Sequence, residues 1–273
     1  MCIKINIKII VLSILISALM YPRVVYYLID TGRDFSVAMR LSRGVAKADT
    51  TIDSDKSKVV FIFDDGWESV YTEAYELFNC FNYTGSVSVI PSYVDEAGYM
   101  TYEQLAEIYM NGWDLLNHTY SHKEDQYNDP DQLLSDFNKA RQWMENRYIG
   151  EQSHMAVLPY GQVNPYLIEK LKNNGYKNIR TSDNIIILDK DKIEYYHVTT
   201  INLLTDVTVS EAINKLRSAL EEPKSIMFIL HKIGEGNDGF GMTYSRSKLE
   251  QILVFIDQHK DKLQVISYSQ LFY

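Results

Sequence analysis

The chain of 273 residues is 46% hydrophobic and 23% charged, the make-up of a globular protein with a sizeable core, and its length allows one large domain or two small ones. A formal net charge of −9, with no basic stripe to neutralise phosphates, disfavours a nucleic-acid partner. Cys2 precedes an apolar run and Cys80 falls inside an expected helix, so no disulfide framework is expected and the core must hold the fold.

In chain order, the first feature is an uncharged apolar run from Ile9 to Met20 behind Lys4 and Lys8. It is short against the roughly 20 residues of a membrane span and has the form of a signal-peptide core. No small-x-small cleavage site follows at the usual distance, and Val24 to Ile29 extend the apolar character. Residues 1–29 are therefore expected to be a signal peptide or membrane anchor, with the mature protein exported to the cell surface, either secreted or anchored. Residues 30–57 are polar and mixed and are expected to form a linker; residues 58–273 make the folded domain.

From Lys58 onward, apolar runs alternate with helical periodicity. Strands are expected at 59–63, 86–90, 113–116, 155–158, 178–182, 196–202, 225–230 and 263–267, with a short hairpin excursion between the fifth and sixth. Helices are expected at 69–81, 101–111, 129–148, 164–175, 208–222 and 245–259. Asp129 with Pro130 and Thr208 with Glu211 have the spacing of helix N-caps, and Gly175 that of a C-cap. The strands read as continuous apolar runs, as when both faces are buried. Repeated strand–helix alternation then predicts a parallel α/β architecture, barrel-like or doubly wound. Neither a GxGxxG behind the first strand nor a GxxxxGK[ST] is present, so nucleotide binding has no support.

Chemistry-bearing residues follow the strands. Asp64-Asp65-Gly66-Trp67 follows the first, Asn117, His118 and His122 the third, Pro159-Tyr160-Gly161 the fourth, and His231 the run 225–230. Each has an ordinary explanation alone; a helix cap or a satisfied core histidine would do. In a parallel barrel, however, all strand C-termini open on one face. Two imidazoles, His118 and His122, plus one carboxylate make the open three-ligand set of a hydrolytic metal site. The remaining positions would hold a water whose pKa falls to about 7 on zinc. The second carboxylate could act as general base, a third histidine could protonate the leaving group, and an N–H at the Tyr160 turn could face an oxyanion. One aspartate cannot easily be both ligand and base, which accounts for the pair.

In order and spacing, FDDGW, HTYSH, PYG and LH resemble the polysaccharide deacetylases (carbohydrate esterase family 4, the NodB-homology domain) over roughly residues 58–270. The Asp-Asp-Gly and the His-x-x-x-His pair are the specific part. The resemblance implies a distorted parallel (β/α) barrel of about seven strands with its active site at the strand C-terminal ends. It implies metal-dependent hydrolysis of N-acetyl groups on a GlcNAc-containing polysaccharide, poly-N-acetylglucosamine or peptidoglycan, by attack of a metal-bound water. Carried over by position, Asp64 resembles the general base, His231 the general acid and Tyr160 the oxyanion-hole residue. Asp65, His118 and His122 resemble the metal ligands, and Leu230, with Trp67, belongs to the substrate pocket. One divalent ion is implied, zinc with cobalt or nickel as alternatives.

Two supports common in the family are missing from their usual places. Val157 stands where an arginine would hold the catalytic aspartate, and Asp183 is the nearest candidate for orienting His231. Without that arginine the carboxyl of Asp64 is expected to be less acidic and activity to be low; members acting on poly-N-acetylglucosamine tend to lack it too. A non-catalytic carbohydrate-binding member of the same fold and an O-acetyl esterase are the alternative functions. The partner in each case is a polysaccharide, with membrane contact only through the N-terminal segment and no oligomeric state implied.

Overall fold

The computed structural model describes residues 51–124, 129–161, 163–188, 194–236 and 238–272. The expected signal or anchor segment and most of the linker lie outside the described residues.

Seven strands run parallel side by side. They are β1 (Ser57–Phe63), β2 (Ser86–Val89), β3 (Asp114–Asn117), β4 (Met155–Val157), β5 (Asn178–Arg180), β8 (Thr199–Asn202) and β9 (Ser225–Leu230). An antiparallel pair, β6 (Ile185–Leu188) and β7 (Glu194–His197), continues the sheet beyond β5. The order is β7-β6-β5-β4-β3-β2-β1-β9-β8, and β12 (Leu263–Ile266) lies beside the first half of β1. The two ends of this order, β7 and β8, are consecutive in the chain with only Val198 between them. The sheet therefore curls until its ends meet at Val198, whose N–H donates to the Asn184 carbonyl. The stretch 196–202, expected as one strand, is thus two strands that pair with different neighbours. A small pair, β10 (Lys232–Ile233) with β11 (Thr243–Tyr244), had no signal in the sequence because each strand is two residues long.

Strand residues alternate between two apolar layers, as the period of two requires. Val59, Phe61 and Phe63 pack outward beneath the helices, whereas Val60 and Ile62 face inward with Leu116, Val157, Met227 and Ile229. Both faces are buried, hence the unbroken apolar runs.

The outer layer is α1 (Glu76–Phe81), α2 (Tyr102–Met110), α3 (Pro130–Glu145), α4 (Pro165–Asn173), α5 (Val209–Glu221) and α6 (Arg246–Gln258). A π-helical turn over Val70–Tyr75 precedes α1, so the expected helix 69–81 is not uniform. The N-caps fall where the side chains allow. Asp129 accepts from the N–H groups of Asp131 and Gln132 with Pro130 at the first turn, and Thr208 and Glu211 form a reciprocal capping box. Gly175, one residue past the C-cap of α4, has φ +80°, the left-handed conformation that ends helices.

Candidate metal centre and active site

The register sets the strand C-terminal ends level. Phe63 pairs with Leu230 and with Val87, Asn117 with Val89 and Ala156, and Val157 with Arg180. Asp64 leaves β1 with its N–H donating to the Leu230 carbonyl at 2.8 Å. Asp64 and His231 therefore emerge from adjacent strands at the same height.

Asp65, His118 and His122 offer ligand atoms that all lie within 4.8 Å of one another. The His118 and His122 Nε2 atoms lie 3.5 and 3.8 Å from Asp65 Oδ1. The Nδ1 of His118 lies 2.9 Å from the Val157 carbonyl oxygen. A carbonyl can only accept, so Nδ1 carries the proton and the lone pair of Nε2 faces Asp65, the tautomer a ligand needs. Burial, followed by the neighbouring His118, pulls the His122 ring down to about 4, so it is neutral and able to ligate at neutral pH. Burial pushes the carboxyl of Asp65 up, but the His118, His231 and His122 rings around it bring it well below the usual range. Three groups with these protonation states fit a divalent ion of the zinc type.

The loop that presents the histidines is tied down by its own polar residues. Buried Asn117 donates from Nδ2 to the Phe137 and Ser153 carbonyls, while its Oδ1 accepts from the Thr119 N–H. Thr119 Oγ1 accepts from the His122 N–H, and Ser121 donates from both N–H and Oγ to Asp136 on α3. Thr119 and His122 sit at φ +65° and +50°, a conformation uncommon for residues with a Cβ and held here by those bonds.

Asp64 points into the barrel mouth and is 5% exposed. Ser88 Oγ donates to its Oδ1 at 2.7 Å and Arg180 to its Oδ2 at 2.6 Å. Burial alone would raise the carboxyl, but the Arg180 guanidinium, then His118 and His231, bring it below its ordinary value. This corrects the expectation drawn from Val157. The arginine absent from β4 is supplied by the next strand, in register with Val157. Sequence reasoning missed Arg180, although a signal existed: in NIR, Ile179 packs outward under the helices, so Asn178 and Arg180 alternate to the inside.

The second missing support stays missing. The Nδ1 of His231 is buried and meets no hydrogen-bond partner among the described residues. Asp183 does not orient it: its N–H donates to Thr181 Oγ1, its carbonyl accepts from Thr200 Oγ1, and the residue is exposed. Antiparallel β6 begins just after Asp183 and pairs with β5 and β7. Tyr160, 57% exposed at φ +53°, sits on the rim with its ring 4.9 Å from that of His122. Leu230 is fully buried in the outer layer. Trp67 donates from Nε1 to Asp65 Oδ2 at 3.1 Å.

Residues 51–179 match the family model described as polysaccharide deacetylase. Over those residues, just under half of the chain, the sequence is similar to the polysaccharide deacetylases. The match ends one residue before Arg180. YxkH of Bacillus subtilis (strain 168), named for polysaccharide deacetylase, is 24% identical over 119 residues, 44% of this chain and 42% of that protein. The aligned part spans less than half the length of that curated relative. Among solved structures, a peptidoglycan N-acetylglucosamine deacetylase, Bc1960, superposes with TM-score 0.58 at 16% identity, over 81% of this chain and 90% of that one. The polysaccharide deacetylase Bc1974 from Bacillus cereus gives 0.55 at 14%, over 80% and 95%. Peptidoglycan deacetylase PdaC from Bacillus subtilis gives 0.52 at 14%, over 81% and 92%. At these identities the likeness is one of fold, and the polysaccharide deacetylase fold is the one this chain adopts.

Proposed function

We propose that this chain is a metal-dependent hydrolase that removes N-acetyl groups from a GlcNAc-containing polysaccharide, poly-N-acetylglucosamine or peptidoglycan, at the cell surface. The observation that carries the proposal is the pairing of two differently held carboxylates at one barrel mouth. Asp65 faces His118 and His122, whereas Asp64 is turned to Arg180 and Ser88. A divalent ion held by Asp65, His118 and His122 would acidify water and polarise an acyl oxygen.

The chain's own residues supply the rest. Asp64, kept ionised, accepts the proton of the attacking water. His231, level with Asp64 across adjacent strands, returns a proton to the departing amine. Tyr160 closes the rim beside His122, where the acyl oxygen would be met. Leu230, packed in the outer layer, takes no part in the pocket that the resemblance assigned it. The product carries a free amine, so the polymer becomes cationic at neutral pH. The apolar run behind Lys4 and Lys8 supports export, by a cleaved signal or a retained anchor.

The test is acetate release with zinc, with cobalt and with chelator on N-acetylglucosamine oligomers, poly-N-acetylglucosamine and peptidoglycan. Metal-loaded protein is expected to release acetate from one of these, and Asp64→Asn to abolish release while retaining metal. A metal-loaded protein that releases acetate from none of them, or only from O-acetylated xylan, would overturn the proposal.

A further inference from the structure

Asp65 has two carboxylate oxygens, and only Oδ1 faces the histidines. The other, Oδ2, accepts the indole N–H of Trp67 at 3.1 Å. Trp67 is itself gripped. Its ring stacks on Tyr99 with centroids 4.3 Å apart and planes 22° apart, and Lys232 Nζ stands 3.8 Å over the ring. A near-parallel ring and an ammonium at those distances cannot share one face, so they cover opposite faces. Tyr99 leans in turn on Tyr93, 4.7 Å away. The turn carrying Asp65 is stitched to the same segment through the backbone: Met100 N–H donates to the Gly66 carbonyl and Glu68 N–H to the Gly98 carbonyl, both at 2.9 Å. Lys232 is held from its own side, since it pairs with Thr243 and the next N–H, of Ile233, donates to Ser69 Oγ at 3.0 Å.

We propose that Trp67 is a positioning residue for the metal-ligand carboxylate, with Lys232 and Tyr99 clamping its indole so that Asp65 presents a single oxygen to the ion. The proposal rests on the metal-centre reading above. A carboxylate with both oxygens free can close on an ion through both and consume two coordination positions. An N–H on Oδ2 engages that oxygen's lone pair and leaves Oδ1 to ligate alone, which keeps positions open for water and substrate. The ammonium over the opposite face draws density from the ring and makes the indole N–H a better donor. With both faces covered, Trp67 has none left on which to stack a sugar, and this role replaces that of a substrate-pocket wall. Groups behind metal ligands that fix their orientation are worth about 10–100-fold in metal affinity.

The experiment titrates cobalt into chelator-stripped wild-type protein, Trp67→Phe and Lys232→Met. It reads the dissociation constant by competition and the coordination number from the visible spectrum, and melting of the metal-free proteins reports folding. Trp67→Phe is expected to bind cobalt about 10–100-fold more weakly, with a spectrum of lower intensity as Asp65 closes on the ion through both oxygens. Lys232→Met is expected to weaken binding by about two- to fivefold. Folded Trp67→Phe with wild-type affinity and spectrum overturns the proposal. Should Trp67→Phe fail to fold, Lys232→Met decides, and an unchanged affinity and spectrum there overturn it. A wild-type protein that binds no cobalt overturns the metal-centre reading first, a result distinct from both.

Discussion

Replacing Arg180 by leucine removes the cation from an ion pair whose side chains are 3% and 7% exposed, with the charged atoms 2.6 Å apart. Truncating one partner of such a pair strands a buried charge and costs about 3–5 kcal/mol. In a folded part of this size each kcal/mol moves the melting temperature by about 2–4 °C, so a fall of roughly 6–20 °C follows. The effect has a pH signature. Asp64 is more acidic in the folded chain than in the unfolded one, so its pairing contributes fully above the ordinary carboxylate pKa of about 3.9. That contribution is lost as pH falls through the lowered folded value. The gap between wild type and Arg180→Leu should therefore be widest near neutrality and close in acid. Urea unfolding of chelated protein at several pH values measures it. A double-mutant cycle with Asp64→Asn isolates the pair, and the second substitution should add little cost once the first is made. Arg180→Leu within about 1 kcal/mol of wild type at neutral pH, or additivity within about 0.5 kcal/mol, would refute the assignment of Arg180 as the support for Asp64.

Two further outcomes follow from geometry. His122 titrates at about 4 when folded, against about 6.5 unfolded. The unfolded chain therefore holds more protons between these values, and the metal-free protein should lose up to about 1.4 kcal/mol of stability per pH unit on acidification through that window. His122→Ala should flatten this slope in urea titrations; an unchanged slope would show that the ring is not the source. At Gly161, φ is +64° and an added Cβ would lie 2.0 Å from Ser182 Oγ and 2.5 Å from Ser182 Cβ. Gly161→Ala should then cost about 2–4 kcal/mol, read as a lowered melting point, and Ser182→Gly in the same chain should recover part of it.

Much of the barrel was legible in the sequence because each strand signals both of its buried faces locally. IMFIL and VVFIF are unbroken apolar runs, and the caps at Asp129 and Thr208 lay within three residues of the groups they satisfy. Errors came where a residue's partner was distant in sequence. Asp64 and Arg180 are 116 positions apart, and the sequence between them carries no local trace of their contact. Asp183 lies close to Arg180 in the chain, yet the turn into antiparallel β6 directs it elsewhere. Asn117 and Ser121 gave no hint of their roles, since Phe137, Ser153 and Asp136 come to them only when α3 packs over β3.

The amino-acid pattern alone established strand–helix alternation, the polar residues that follow each strand, and through them the kind of chemistry the mouth of the barrel can carry. Those features depend on backbone period and residue type, which are local. Tertiary structure settled which oxygen of Asp65 faces the histidines, which cation holds Asp64, that the sheet curls round to meet at Val198, and that both faces of Trp67 are covered. Each of these depends on register between strands far apart in the chain. A contact across a barrel mouth is fixed by the packing of the whole sheet, and no stretch of sequence carries it.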